Sequence, residues 1–219
     1  MNHIVWDWNG TLLDDLTVVV AAVNDTLATV GRRSITIEEY GAHYTRPVLL
    51  FYERLLGRPV ENSEWLRFDQ VFHDSYRRLV ESASLASDAR EALIAAANAG
   101  LSQSLLSMYW HDELVPQVER FNLGEFLSRI DGLRGTPGDR KQEYMERHLE
   151  AVEDDLAEQI EPSEVLVIGD ALDDADAASA LGFNCVLYNS GAYPAAQLET
   201  AGVPVVGSLM EALKVWGVI

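Results

Sequence analysis

The chain is short of the residues that mark several common partners and compartments. It holds one cysteine, Cys185, in 219 residues, so no internal disulfide can form, which fits a reducing compartment. Lysine occurs twice, at Lys141 and Lys214, and 16 basic residues face 35 acidic ones for a formal net charge of −19. Nucleic acid or an anionic membrane needs a basic face, so both are excluded as partners. No apolar run reaches the roughly 18 residues of a membrane-crossing helix. The chain also opens directly on a strand-like segment, with no basic start and long apolar stretch before it. Repeats and low-complexity segments are lacking too. The expectation is a soluble, cytoplasmic protein.

What the chain has is a globular composition, 48% hydrophobic and 23% charged, and enough length for one domain carrying a large insertion or a small second domain. Its opening stretch organises the rest. Ile4, Val5 and Trp6 form a short apolar run stopped by Asp7, after which Asn9-Gly10 reads as a turn. Asp7 thus sits at the carboxyl tip of a strand, the edge where parallel α/β sheets bind ligands. Gly10 and Thr11 supply mobile backbone and a hydroxyl just beyond it, a loop able to hold an anion. Alternation places Trp6 and Trp8 opposite Asp7, as core residues.

Residues 16–30 have helical apolar spacing, with Asp14 and Asp15 placed to cap them and Gly31 to end them. Helices are then expected over 37–43, 47–56 and 65–80, with turns at Gly57-Arg58-Pro59 and Glu61-Asn62-Ser63 and no strand. This insertion is rich in arginine, mostly a solvated surface; Arg46, in the turn-like Thr45-Arg46-Pro47, is the one singled out as facing a substrate. From Asp88 strands and helices alternate: helix 88–98, strand 103–108, a helix from His111, an ambiguous stretch 126–131, a loop 132–138, helix 139–156, strand 165–168, helix 173–181, strand 184–188, an edge strand 204–206 and helix 209–216. The rhythm implies βαβ units and a mostly parallel sheet. The fold expected is α/β, a Rossmann-like parallel core from residues 1–15 and 85–219 with a helical cap inserted over 16–84.

In such a sheet all carboxyl ends of strands share one edge, so Asp7, Asp170 and the hydroxyl of Ser107 can meet there. Asp170 is followed four positions later by Asp174. Clustered carboxylates repel unless a hard divalent cation lies among them, and Mg²⁺ takes one or two carboxylates, waters and phosphate oxygens. Lys141, in the first turn of its helix, is placed to reach a phosphate. A cation and one lysine would make a positive spot in an acidic molecule. The five histidines, His3, His43, His73, His111 and His148, show no metal spacing and are expected mostly at the surface or in the insertion. Cys185, inside a strand, is expected to be an inert buried thiol.

Together these residues resemble the haloacid dehalogenase-like superfamily over nearly the whole chain. Asp7-Trp8-Asn9-Gly10-Thr11 is similar to its first motif, Asp-x-Asp-Gly-Thr; Ser107 resembles the second, Lys141 the third, and Gly169-Asp170 with Asp174 the fourth. A helical insertion straight after the first motif resembles the cap of the phosphoglycolate phosphatase and β-phosphoglucomutase branch. The resemblance implies a phosphatase for a small phosphorylated metabolite. Asp7 would be the nucleophile, forming an aspartyl-phosphate that water cleaves. Mg²⁺ would be held by Asp7, the backbone carbonyl of Asn9, Asp170 and Asp174. Gly10, Thr11, Ser107, Met108 and Lys141 would hold the phosphoryl group.

One position departs from the pattern. The superfamily's phosphatases carry a second Asp where this chain has Asn9, and an amide can neither protonate a leaving oxygen nor activate water. Such help is typically worth roughly 10²–10⁴ in rate. Three outcomes stay open: a slow phosphatase for good leaving groups, a proton supplied by Asp14, Asp15, His43 or Tyr44, or a protein that only binds phosphorylated ligands. A dehalogenase would tolerate Asn9, but Asp170 and Asp174 would then serve no purpose. A Schiff-base phosphonate-cleaving relative would need a lysine in the insertion, which has none.

Overall fold

The computed structural model describes residues 2–135 and 140–219. The loop expected over 132–138 and the helix start expected at Asp139 therefore fall partly outside the described residues. In chain order the elements are β1 (His3–Trp6), β2 (Leu13–Asp14), α1 (Leu16–Ala28), α2 (Ile37–His43), α3 (Val48–Leu56), α4 (Asn62–Leu79), β3 (Ser84–Leu85), α5 (Ala89–Asn98), β4 (Ser102–Trp110) and α6 (His111–Arg120). They continue with β5 (Arg129–Leu133), α7 (Lys141–Leu156), β6 (Val165–Gly169), α8 (Leu172–Leu181), β7 (Asn184–Tyr188), α9 (Ala195–Leu198), β8 (Val205–Val206) and α10 (Leu209–Val215). The chain divides into two compact units, Met1–Leu13, Leu85–Ser190 and Ala195–Ile219 in one, Asp14–Ser84 and Gly191–Pro194 in the other.

The first unit is a six-stranded, wholly parallel sheet in the order β5-β4-β1-β6-β7-β8. Parallel strands covered on both faces become continuous apolar runs, and every residue of β1 and β6 is buried. The two ends are blunted differently: β8 is two residues long, and β5 carries Arg129 and Asp131. Taken in chain order the six strands run outward from β1 to β5, then return to β6 on the other side of β1. The order therefore reverses between β1 and β6, and ligands of open α/β sheets bind outside the carboxyl ends at such a reversal. The backbone N–H of Asp7 donates to the carbonyl of Ile168 at 2.9 Å, so the residues that follow β1 and β6 lie side by side.

The second unit is helical. Leu27, Tyr40, Phe51, Tyr52, Leu55 and Phe68 are buried in one cluster drawn from α1 to α4. Tyr44 packs edge-on against Phe51 and against Tyr193 of the short segment that joins this unit from far along the chain. Helix α2 opens on a capping box, Thr36 accepting from the Glu39 N–H at 3.2 Å and Glu39 from the Thr36 N–H at 3.0 Å. Several arginines of this unit make surface pairs, as Arg33 does with Glu39, Arg58 with Glu64 and Arg78 with Asp25.

Several expectations need correcting. Asp15 does not cap α1; its buried carboxylate accepts the hydroxyl of Tyr76 at 2.5 Å. Helix α4 starts at Asn62 because the Trp65 N–H reaches the Glu61 carbonyl at 2.8 Å, turning the supposed turn into a first helical turn. Asp88 leaves its helix uncapped and accepts the Met210 N–H at 2.9 Å instead. The ambiguous stretch resolves as strand β5, and β4 runs two residues past Met108. Two of the five histidines are core residues, His3 at 0% and His148 at 2% exposure. Both Nε2 atoms meet the hydroxyl of Ser104, at 2.7 and 2.8 Å, and His148 Nδ1 meets Asp131 at 2.8 Å. Those bonds meet the desolvation cost of burying two imidazoles.

Trp6 and Trp8 are fully buried, the Trp6 indole donating to Gln103 at 3.0 Å. Cys185 is buried, and burial pushes its thiol well above the usual range. Among the described residues no helix is long and apolar enough to cross a membrane.

Candidate active site

The first unit assembles the site from β4, from the residues that follow β1, β6 and β7, and from the first turns of α7 and α8. Asp7 follows β1 directly and Asp170 follows β6 directly. Asp174 lies in the first turn of α8, its Oδ2 accepting the Ala171 N–H at 3.0 Å and so tying itself to the loop that carries Asp170. Asp7, Asp170 and Asp174 are all buried, and each offers an oxygen within 4.8 Å of the others'. Lys141, first residue of α7, donates to Asp7 Oδ1 at 2.7 Å and pairs with Asp174 Oδ1.

The loop after Asp7 is tightly wound. The N–H groups of Thr11 and Leu13 both return to the Trp8 carbonyl, at 3.2 and 2.9 Å, and the Gly10 N–H reaches the Leu13 carbonyl at 3.0 Å. Gly10 takes φ +74°, and a Cβ there would stand 2.7 Å from Cγ of Asp170. Only glycine lets the loop pass so close to that carboxylate. Gly169 serves Asp174 similarly, since a Cβ there would lie 2.7 Å from the Cβ of Asp174.

Ser107 is not the end of its strand. The pairing of β4 with β1 stops at Leu105, and its register with β5 shifts between Leu106 and Trp110. A register break of this kind re-aims side chains near a rim. The Ser107 hydroxyl accepts the Tyr109 N–H at 3.1 Å and donates to the Asn9 side-chain carbonyl at 3.4 Å. Met108, next along β4, is half-buried, and Thr11 is fully buried with a hydroxyl that meets no hydrogen-bond partner among the described residues. Of the other residues singled out, Arg46 lies exposed ahead of α3 in the helical unit, where His43 is exposed and Tyr44 stacks on Tyr40.

Ser190 was missed by sequence reasoning. Its hydroxyl donates to Asp170 Oδ2 at 2.8 Å and so fixes the rotamer of that carboxylate. The available signal was a hydroxyl two residues past strand β7, at the same edge as the other strand-end residues.

Three buried carboxylates face one ammonium. Burial pushes the Asp7 carboxyl up to about 7, Lys141 pulling against that shift and Asp174 adding to it. Burial alone would lower the Lys141 pKa, but Asp174 and Asp7 outweigh it and hold the ammonium charged. Close hard oxygens with an excess of negative charge are the donor set of Mg²⁺ or a similar cation. The residues present therefore fit the metal that the fourth motif implies.

A family model of haloacid dehalogenase-like hydrolases matches residues 1–182. The chain belongs to that family. Among solved structures it is similar to a predicted phosphoglycolate phosphatase from Haemophilus somnus, with TM-score 0.75 and 18% identity over 98% of this chain and 97% of that one. A haloacid dehalogenase-like hydrolase from Streptococcus pneumoniae aligns with TM-score 0.80 and 16% identity over 99% and 98%. A Thermotoga maritima protein provisionally designated β-phosphoglucomutase aligns with TM-score 0.70 and 17% identity over 99% and 98%. At such identities the likeness shows the fold. No match was found among curated proteins.

Proposed function

We propose that this hydrolase is a Mg²⁺-dependent phosphomonoesterase for a small phosphorylated metabolite, working through a phosphoryl group carried on Asp7. The observation that carries this reading is the Asp7 carboxylate, held by Lys141 at 2.7 Å and within 4.8 Å of Asp170 and Asp174 at the point where the strand order reverses. An Asp7 oxygen attacks phosphorus, the bond from phosphorus to the ester oxygen breaks, and the ester oxygen leaves with its electron pair. Water then attacks the acyl phosphate and releases inorganic phosphate with a regenerated carboxylate.

Asp7, Asp170, Asp174 and the Asn9 carbonyl would hold Mg²⁺, which when bound offsets charge on the phosphoryl oxygens and favours ionised Asp7. Lys141, the hydroxyls of Thr11 and Ser107 and the backbone at Met108 orient the phosphoryl oxygens, while Gly10, whose N–H is held by the Leu13 carbonyl, lets the loop lie close to them. The buried, unsatisfied Thr11 hydroxyl supports that role. Asn9 supplies no proton, so the reading favours leaving groups that depart as stable anions, such as aryl or acyl phosphates. The helical unit takes the role of cap by resemblance to the branch named above, and Arg46, exposed in its turn-like Thr45-Arg46-Pro47, is assigned as a substrate contact. The single cysteine and the acidic charge fit a cytoplasmic setting.

A second reading, a binder of phosphorylated ligands without turnover, is favoured by the bond between Ser107 and Asn9, two motif positions engaged with each other. Phosphate release from an aryl phosphate separates the two. The proposal expects release that needs Mg²⁺ and vanishes in Asp7→Asn. A folded wild-type protein that binds orthovanadate with Mg²⁺ yet releases no phosphate would establish the binder.

A further inference from the structure

A cleft of about 310 Å³, lined by none of the motif residues, opens between β5 and α7. Its lining among the described residues brings together Arg129 and Arg134 from β5 and its end with Arg147, Tyr144 and His148 from α7, beside one carboxylate, that of Asp131. A protein of net charge −19 with only 16 basic residues thus places three guanidinium groups on one small cleft.

The carboxylate there is already committed. Asp131 Oδ2 accepts from Arg129 Nε at 2.5 Å and meets His148 Nδ1 at 2.8 Å, while Oδ1 accepts from Arg134 Nη1 at 3.2 Å. Arg129 also donates from Nη1 to Asp155 at 2.8 Å, so the surplus lies with Arg134 and Gly132. Arg134 Nη2 points at Nε2 of His111, 2.7 Å away, and the Gly132 N–H points at Nδ1 of the same ring from 3.3 Å. A neutral imidazole accepts at one nitrogen only, and guanidinium and amide can only donate. One of the two N–H groups therefore lacks an acceptor on this histidine. Arg147 is held over the ring of Tyr144, its guanidinium carbon 4.7 Å from the centroid. That stacking holds a planar donor fork at the cleft, and Arg is the residue suited to bidentate oxyanion recognition.

From this juxtaposition we propose that the cleft between β5 and α7 is a second ligand site, binding a tetrahedral oxyanion such as phosphate or the phosphate group of a small ester. Three guanidiniums from separate backbone positions suit an ion whose oxygens point several ways better than a flat carboxylate. The ion takes the surplus donor of Arg134 or Gly132 and leaves the bonds of Asp131 in place. The site does not depend on the motif residues, and nothing in it requires the enzymatic reading to hold.

The test is titration of the full chain with inorganic phosphate in EDTA, by calorimetry and by amide and arginine Nε NMR spectra, with acetate as comparison. Saturable phosphate binding is expected, with shifts at Gly132 and at the Arg134 and Arg147 Nε signals, and weaker acetate binding. Arg134→Ala with Arg147→Ala should weaken phosphate at least about tenfold, since charged hydrogen bonds of this kind carry that much. The proposal is overturned by no saturable binding, by shifts confined to Asp7, Gly10 and Lys141, by acetate binding as tightly as phosphate, or by unchanged affinity in the folded double variant. If that variant does not fold, the location of the wild-type shifts decides alone.

Discussion

Lys141 donates to Asp7 at 2.7 Å although 134 positions separate the two in the chain. The same ammonium pairs with Asp174, so one lysine neutralises two of the three carboxylates of the candidate site. Removing one member of a buried ion pair leaves uncompensated charge, typically about 3–5 kcal/mol. Lys141→Met should lose stability on that scale in denaturant titration without metal. Millimolar Mg²⁺ should restore more stability to the variant than to wild type, because the cation replaces the missing charge. A variant as stable as wild type in EDTA would show that the pair is not needed to hold the carboxylates together.

Gly10→Ala tests the closeness of loop and carboxylate. The substitution meets two obstacles at once, a φ of +74° and an Asp170 Cγ 2.7 Å from the new Cβ. A non-glycine residue in that backbone region costs on the order of 1–3 kcal/mol, and Asp170 must also leave its bond with Ser190. The expected result is a folded, less stable protein with little phosphatase activity and no thermal stabilisation by Mg²⁺. Retention of the Mg²⁺ shift would mean that Asp170 is not part of a cation site.

How much of this was legible beforehand follows from burial. Strands β1 and β6 are central in a parallel sheet, so their sequences are unbroken apolar runs that announce themselves. Strand β5 lies at the sheet's end and mixes Arg129 and Asp131 with Ile130, which obscured it. Helix α9 is four residues long, too short for any period to show. Asp7, Asp170, Lys141 and Asp174 could be placed because each follows a strand or lies in the first turn of a helix, and parallel topology collects such positions on one edge. His3, Ser104 and His148 could not. Their meeting depends on the register His3 with Ser102 and Val5 with Ser104, and on which face α7 turns inward. Ser190 and the arginine cleft were hidden for the same reason, being matters of packing between distant segments.

Asn9→Asp tests whether the amide stands where an acid is wanted. Asn9 lies two residues beyond Asp7, within reach of Ser107 at 3.4 Å. An acid there protonates the leaving oxygen and later draws a proton from water, worth roughly 10²–10⁴ in rate. Turnover of alkyl phosphates should rise by that order, and turnover of aryl phosphates much less, since their leaving oxygen needs no proton. Equal or lower alkyl phosphate rates in a folded variant would locate the proton donor elsewhere.

His3 makes a pH prediction independent of catalysis. Burial, with the charge of His148 adding to it, lowers its pKa from 6.5 to about 3. Between those values the unfolded chain binds a proton at His3 that the folded chain refuses, so stability rises with pH across the window. The contribution is complete above about 6.5 and is lost as pH falls toward about 3. Each pH unit inside the window is worth at most about 1.4 kcal/mol from this one group. Denaturant titrations at pH 6 and pH 5 should therefore show wild type weakening by up to about that amount beyond what its carboxylates cause. In His3→Gln the amide can still bond the hydroxyls of Ser102 and Ser104 but cannot titrate, so the difference between the two pH values should shrink accordingly. An identical pH slope in the variant would mean that the buried ring is protonated in the folded state as readily as in water.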